Sequence, residues 1–121
     1  MQSIQYRINA LKEFKLCSDE QIEDLNKIII LFEEEYNILM EEENAGAMIT
    51  HISAAFNRIN TGDIIDALDD LILDDLKTSL LYDKSLEIFY NIKEKISTAI
   101  PDNEKGYFIL HICNLINQDK I

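Results

Sequence analysis

Ser18-Asp19-Glu20-Gln21-Ile22-Glu23-Asp24-Leu25-Asn26-Lys27-Ile28-Ile29-Ile30-Leu31-Phe32-Glu33-Glu34-Glu35-Tyr36 decides the fold class of this 121-residue chain. Ile22, Leu25, Ile29, Phe32, Tyr36 and then Leu39 recur at alternating spacings of three and four. That period lines one face of an α-helix, whereas a strand with one buried face would need alternation. Ser18 with Gln21 three residues on has the form of a capping box, which marks where the helix starts. Glu33, Glu34, Glu41, Glu42 and Glu43 form the opposite, solvated face. The spacing predicts a helix over 19–42, ended by a break at Asn44-Ala45-Gly46.

The same period extends in both directions. Ile4, Ile8, Leu11 and Phe14 predict a short helix over 2–15, and Met48, Ile52, Ala55 and Ile59 predict one over 46–60. Asn60-Thr61-Gly62-Asp63 should stop the latter, with Gly62 in the left-handed cap conformation and Asp63 capping the next helix. Ile64, Ile65, Leu68 and Leu71 fit a short connecting helix over 63–73. Leu76, Leu80, Leu86, Phe89, Ile92 and Ile96 fit a longer one over 76–98 that ends before Pro101. Asp102 or Asn103 can cap a last helix running to about 117, apolar on most sides and so expected at the centre. Three Gly and one Pro leave few other breaks. The chain is therefore read as all-α, a helical bundle in one compact domain, with 1–17 as an N-terminal helix ahead of a bundle over 18–121.

Charge excludes several functions. Eleven Lys plus Arg stand against 23 Asp plus Glu, a net charge of −12. Binding to a nucleic-acid polyanion is driven by Lys and Arg neutralising phosphates, and no basic stripe offers this, so no direct nucleic-acid partner is expected. Cys17 and Cys113 are too few and too far apart for a disulfide framework or a metal pair. The pairs Asp69-Asp70 and Asp74-Asp75 lack the alternating oxygen ligands of a calcium loop. No metal or cofactor is expected, no apolar run is long enough for a membrane span, and a cytoplasmic location follows from these absences.

The candidate chemistry lies with two histidines, His51 and His111, each in an apolar helical run and sixty residues apart. Imidazole titrates near neutrality and is a nucleophile toward phosphorus. On a helix His51 shares a face with Ala54, Ala55 and Arg58. The alanines leave room beside the ring, and Arg58 can aim a guanidinium fork at an anion attached to it. His111 shares its face with Glu104, Tyr107, Phe108 and Asn114, where a carboxylate or phenol could hold one ring nitrogen and fix the tautomer. His51 is expected to be reachable and His111 the more buried. Arg58 is expected to be an exposed arginine that can be removed without unfolding the chain. Two structural histidines that only hydrogen-bond remain the alternative.

His51-Ile52-Ser53-Ala54-Ala55-Phe56-Asn57-Arg58-Ile59 resembles the first histidine motif of the phosphotransferase-system regulation domain (PRD) of transcriptional antiterminators and activators, in which Arg follows His by seven residues. Pro101-Asp102-Asn103-Glu104-Lys105-Gly106-Tyr107-Phe108-Ile109-Leu110-His111-Ile112 is similar to the second, a Pro and Glu leading into an aromatic-aliphatic run that ends His-Ile. The resemblance covers about 19–117. It implies two antiparallel helix pairs plus a connecting helix, phosphorylated on histidine by the sugar phosphotransferase system. The implied partners are the histidine phosphocarrier protein, sugar-permease subunits, a second copy in a homodimer, and a downstream protein through which a single such domain controls carbohydrate-operon transcription.

By that resemblance His51 and His111 are regulatory phosphoacceptors, with Arg58, Glu104 and Asn114 in support and no catalytic residue. The family often has Arg where this chain has Asn114, which makes His51 the expected principal acceptor. Two other readings compete: an acidic helical interaction module, and a phosphocarrier-like enzyme component that relays phosphate onward.

Overall fold

The Ser18 hydroxyl accepts the Gln21 backbone N–H at 3.2 Å, and the Gln21 side chain accepts the Ser18 N–H at 3.3 Å. The capping box is therefore formed, and it starts the second of six helices. In the computed structural model, which describes residues 3–119, these are α1 (Ile4–Glu13), α2 (Asp19–Glu35), α3 (Glu42–Thr61), α4 (Asp70–Lys77), α5 (Tyr82–Lys95) and α6 (Asp102–Asp119). Extended pairing among the described residues is confined to one isolated bridge, Ser3 to Glu41. The fold is an all-α helical bundle.

Side-chain bonds show how the helices run. Gln21 at the start of α2 exchanges amide hydrogen bonds with Asn60 at the end of α3, both at 2.9 Å. Asp24, also early in α2, accepts from the backbone N–H and hydroxyl groups of Ser97 and Thr98, just past the end of α5. Burial alone would raise the Asp24 pKa, but these donors outweigh it and hold the carboxyl below the usual range. Ser85 near the start of α5 meets Cys113 late in α6, while Tyr90 further along α5 meets Lys105 early in α6. Helices α2, α3, α6 and α5 thus stand antiparallel to their neighbours. Their core holds Leu25, Ile28 and Phe32, Ile49 and Phe56, Ile88, Phe89 and Ile92, and Ile109 and Ile112. Each such side chain stabilises the fold by about 1.5–3 kcal/mol through burial.

Helix α1 packs against α2 and α3. Ile4 and Ile8 are both buried there, and Arg7 forks onto the Glu42 carboxylate while donating to the Thr50 hydroxyl. No helix is long and apolar enough to cross a membrane among the described residues.

Several boundaries differ from the sequence expectation. The first helix spans Ile4–Glu13 rather than 2–15, with residue 2 outside the described residues; Phe14, just past its end, is exposed. Helix α2 stops at Glu35 because Asn37 takes a left-handed φ of 56° and the Ile38 N–H turns back to the Phe32 carbonyl. The chain then extends, so Ile38 and Met40 are buried and Leu39 faces solvent. Asn44-Ala45-Gly46 is not a break. Asn44 lies in the first turn of α3, accepting the Glu41 N–H at 2.7 Å and donating to the Leu39 carbonyl at 3.0 Å.

Gly62 does cap α3 at φ 77°, with its N–H on the Ile59 carbonyl and the Asp63 N–H on the Arg58 carbonyl. Asp63 caps nothing, however. Residues 63–69 form a non-helical strap, and the connecting helix starts only where the Asp69 side chain accepts the Leu71 N–H. Ile64 and Leu71 are consequently exposed, and so is Leu80, which lies in the turn dividing the expected 76–98 helix. Tyr107 and Asn103 of α6 hold the strap, donating to the Asp66 and Ile65 carbonyls. Leu68 packs over Gly106 so closely that a Cβ there would lie 2.8 Å from the Leu68 Cβ. The 18–121 bundle expected from the sequence extends two residues beyond those described.

Candidate functional site

His51 and Arg58 lie seven residues apart on α3, and Glu104 and His111 lie seven apart on α6. Seven residues are nearly two turns, about 10 Å along a helix axis. Because α3 and α6 run antiparallel, the spacings form a ladder of two rungs. In one, the imidazoles of His51 and His111 stack with ring centroids 4.1 Å apart and planes inclined by 22°. In the other, Arg58 Nε and Nη2 each reach an oxygen of the Glu104 carboxylate at 2.9 Å.

Both rungs line one cavity of about 450 Å³. Met48, Ile52 and Ala55 of α3, Ile65 of the strap, and Tyr107, Phe108 and Leu110 of α6 complete its wall. His51 is exposed and His111 half-buried. Burial, followed by repulsion from His51, lowers the His111 pKa. A lowered value favours the neutral ring, whose in-plane lone pair is a nucleophile.

The electrostatics of the second rung differ from the sequence expectation. Glu104 is almost fully buried and engages Arg58, leaving it unavailable to the His111 ring; the pair in turn raises the Arg58 pKa. The Tyr107 hydroxyl is likewise engaged, with the strap at 3.2 Å. Among the described residues no hydrogen bond holds either imidazole. Nor is Arg58 an exposed arginine that can be removed freely, since its loss would leave a buried carboxylate without its partner. Asn114 stands apart, exposed on α6 and lining a separate hollow with Ile72, Leu76, Ser79 and Asn117.

Four of the five candidate residues therefore meet at the cavity, and Asn114 does not. Ile65 and Met48, read from sequence only as apolar stripe positions, turn out to be walls of the cavity. The equal seven-residue spacings are the signal for the ladder, and they become informative once α3 and α6 are known to be antiparallel neighbours. Among the described residues no group of three or more His, Cys, Asp or Glu is placed to hold a metal ion.

Residues 26–115 match the family model described as PRD domain. The match runs from within α2 to late α6, so it contains both rungs and leaves α1 outside. A Haemophilus influenzae protein described as an uncharacterized protein is 25% identical over 73 residues, covering 60% of this chain and 58% of that protein. The chain thus matches under two thirds of that relative's length. No solved structure matches.

Proposed function

Because the chain belongs to the PRD domain family, regulatory domains tied to the phosphotransferase system through histidine phosphorylation, we propose that it is a phosphorylation-responsive regulator whose acceptor is the His51–His111 pair. The observation that carries this reading is the stacked pair at the edge of a cavity that also presents Arg58. The proposed donor is the phosphohistidine of the histidine phosphocarrier protein, with sugar-permease subunits as further partners. A neutral imidazole nitrogen attacks phosphorus and forms a new P–N bond as the donor's P–N bond breaks. The electron pair returns to the donor ring, which gains a proton, while the acceptor ring gives up its N–H proton.

The added group carries about −1.5 to −2 charges, by analogy with other phospho-residues, on a surface that is already acidic. Its effect is therefore to rearrange contacts and alter binding to other proteins. We assign the output to a downstream protein that controls carbohydrate-operon transcription in the cytoplasm, with no direct nucleic-acid contact. A homodimer is part of the proposal, supported by apolar side chains left exposed around α4, namely Leu71, Ile72 and Leu80. Asn114 has no part in the acceptor site.

Incubation with phosphoenolpyruvate, the general phosphotransferase enzyme and the phosphocarrier protein tests the reading. The protein should gain an acid-labile, alkali-stable phosphate, which His51→Ala removes for the most part because His51 is the exposed ring. His111→Ala should have the smaller effect. Failure to label while a known acceptor labels in the same reaction would leave an acidic interaction module with structural histidines.

A further inference from the structure

Among the described residues the Glu104 carboxylate is, with Asp24, one of two buried charged groups, with 3% of its side chain exposed. Its hydrogen bonds among the described residues come from Arg58, through Nε and Nη2. Arg58 is less enclosed, and it lines the same cavity as both imidazoles. The guanidinium thus holds one anion, Glu104, and shares its cavity with the place where a second is created when a ring is phosphorylated.

A buried carboxylate is tolerated while it is paired and becomes costly once its partner leaves. Glu104 also lies between the two side chains that pin the strap: Asn103 donates to the Ile65 carbonyl and Tyr107 to the Asp66 carbonyl. Ile65 of the strap and Glu104 line the same cavity, so water drawn to a stranded carboxylate enters beside the strap.

We propose that the Arg58–Glu104 pair is a latch: phosphorylation of the histidine pair draws Arg58 off Glu104, and the stranded carboxylate releases the 63–69 strap. This rests on histidine phosphorylation as proposed above. The latch converts a charge added between α3 and α6 into movement at the surface segment leading to α4. Glu104 opposes phosphorylation in this scheme by competing for the guanidinium. If Glu104 instead positions Arg58 for the phosphoryl group, its removal has the opposite effect.

The test compares wild type and Glu104→Gln after phosphorylation with potassium phosphoramidate, a small donor that needs no partner protein. Two readouts are the lifetime of the phosphohistidine signal in phosphorus NMR and the rate of endoproteinase cleavage at Asp63, Asp66 and Asp69. A latch predicts a phosphohistidine lifetime at least twofold longer in Glu104→Gln. It also predicts strap cleavage that rises severalfold on phosphorylation of wild type and does not rise in the variant. An equal or shorter lifetime in a folded variant, or the same cleavage response in both proteins, overturns it.

A third readout uses wild type alone and keeps the question decidable if the variant misfolds. The Arg58 Nε–H resonance should move on phosphorylation, and a stationary resonance overturns the latch. A wild type that takes no label from phosphoramidate or from the phosphocarrier protein overturns the phosphorylation reading together with the latch. A labelled wild type with an unresponsive strap overturns the latch alone.

Discussion

His111 takes its chemical character from being half-buried beside a second imidazole. Burial and the neighbouring ring both disfavour its charged form, so its folded pKa lies below the ordinary histidine value of about 6.5. At pH values between the folded and unfolded pKa the unfolded chain binds more protons than the folded one. The stabilising contribution of neutral His111 is therefore complete above about pH 6.5 and is lost as pH falls through the folded pKa. The urea midpoint should be lower at pH 5.5 than at pH 7.5, and His111→Gln should flatten that difference. A midpoint that rises on acidification of wild type, or a slope unchanged in the variant, would contradict the assignment.

Sequence identifies the two histidines and their helical neighbours because spacing along one helix is a local property. It cannot show that the rings stack or that Glu104 belongs to Arg58, because both facts depend on the register between α3 and α6. Tyr107 illustrates the limit: its position on the His111 face is legible, but its hydroxyl is engaged by the strap.

At the scale of elements, apolar period locates the helices well wherever capping agrees with it, as at Ser18 and Gly62. It fails where a side chain ends or begins a helix against the period. Asn37 adopts a left-handed conformation, Asn44 caps from inside the first turn, and Asp69 rather than Asp63 starts α4. The strap reads as helix because Ile64, Ile65, Leu68 and Leu71 have helical spacing, although only Leu68 of the four is buried. Two α6 side chains and a glycine hold it instead.

A methyl group at Gly106 would meet the Leu68 Cβ at 2.8 Å, and a Cβ cannot swing aside as the end of a long side chain can. Gly106→Ala gains about 0.5–1 kcal/mol of helix propensity. Overpacking of this kind costs about 1–3 kcal/mol, so the net expectation is modest destabilisation. Limited proteolysis should show the damage concentrated at 63–69, and a variant more stable than wild type with an unchanged strap would show that Leu68 can yield.

For the whole molecule, the question is whether α1 is an appendage or part of the same cooperative unit, since the family match begins only at residue 26. Its charge gives it no specific seat, although Arg7 and Lys12 against Glu13 leave it at +1 on a chain that carries −12 overall. Packing does give one: Ile4 and Ile8 are each 2% exposed and belong to the main core. Arg7 adds a fork to Glu42 and a bond to Thr50, the residue next to His51. We therefore expect one cooperative unfolding transition that includes α1. Ile8→Ala should lower the stability of the entire domain by about 2–5 kcal/mol, the range for emptying a buried large aliphatic site. Hydrogen exchange under native conditions should protect the α1 amides nearly as well as those of α2. If α1 exchanges freely while α2 stays protected, and Ile8→Ala leaves the main transition in place, the N-terminal helix is a separate element and the bundle stands without it.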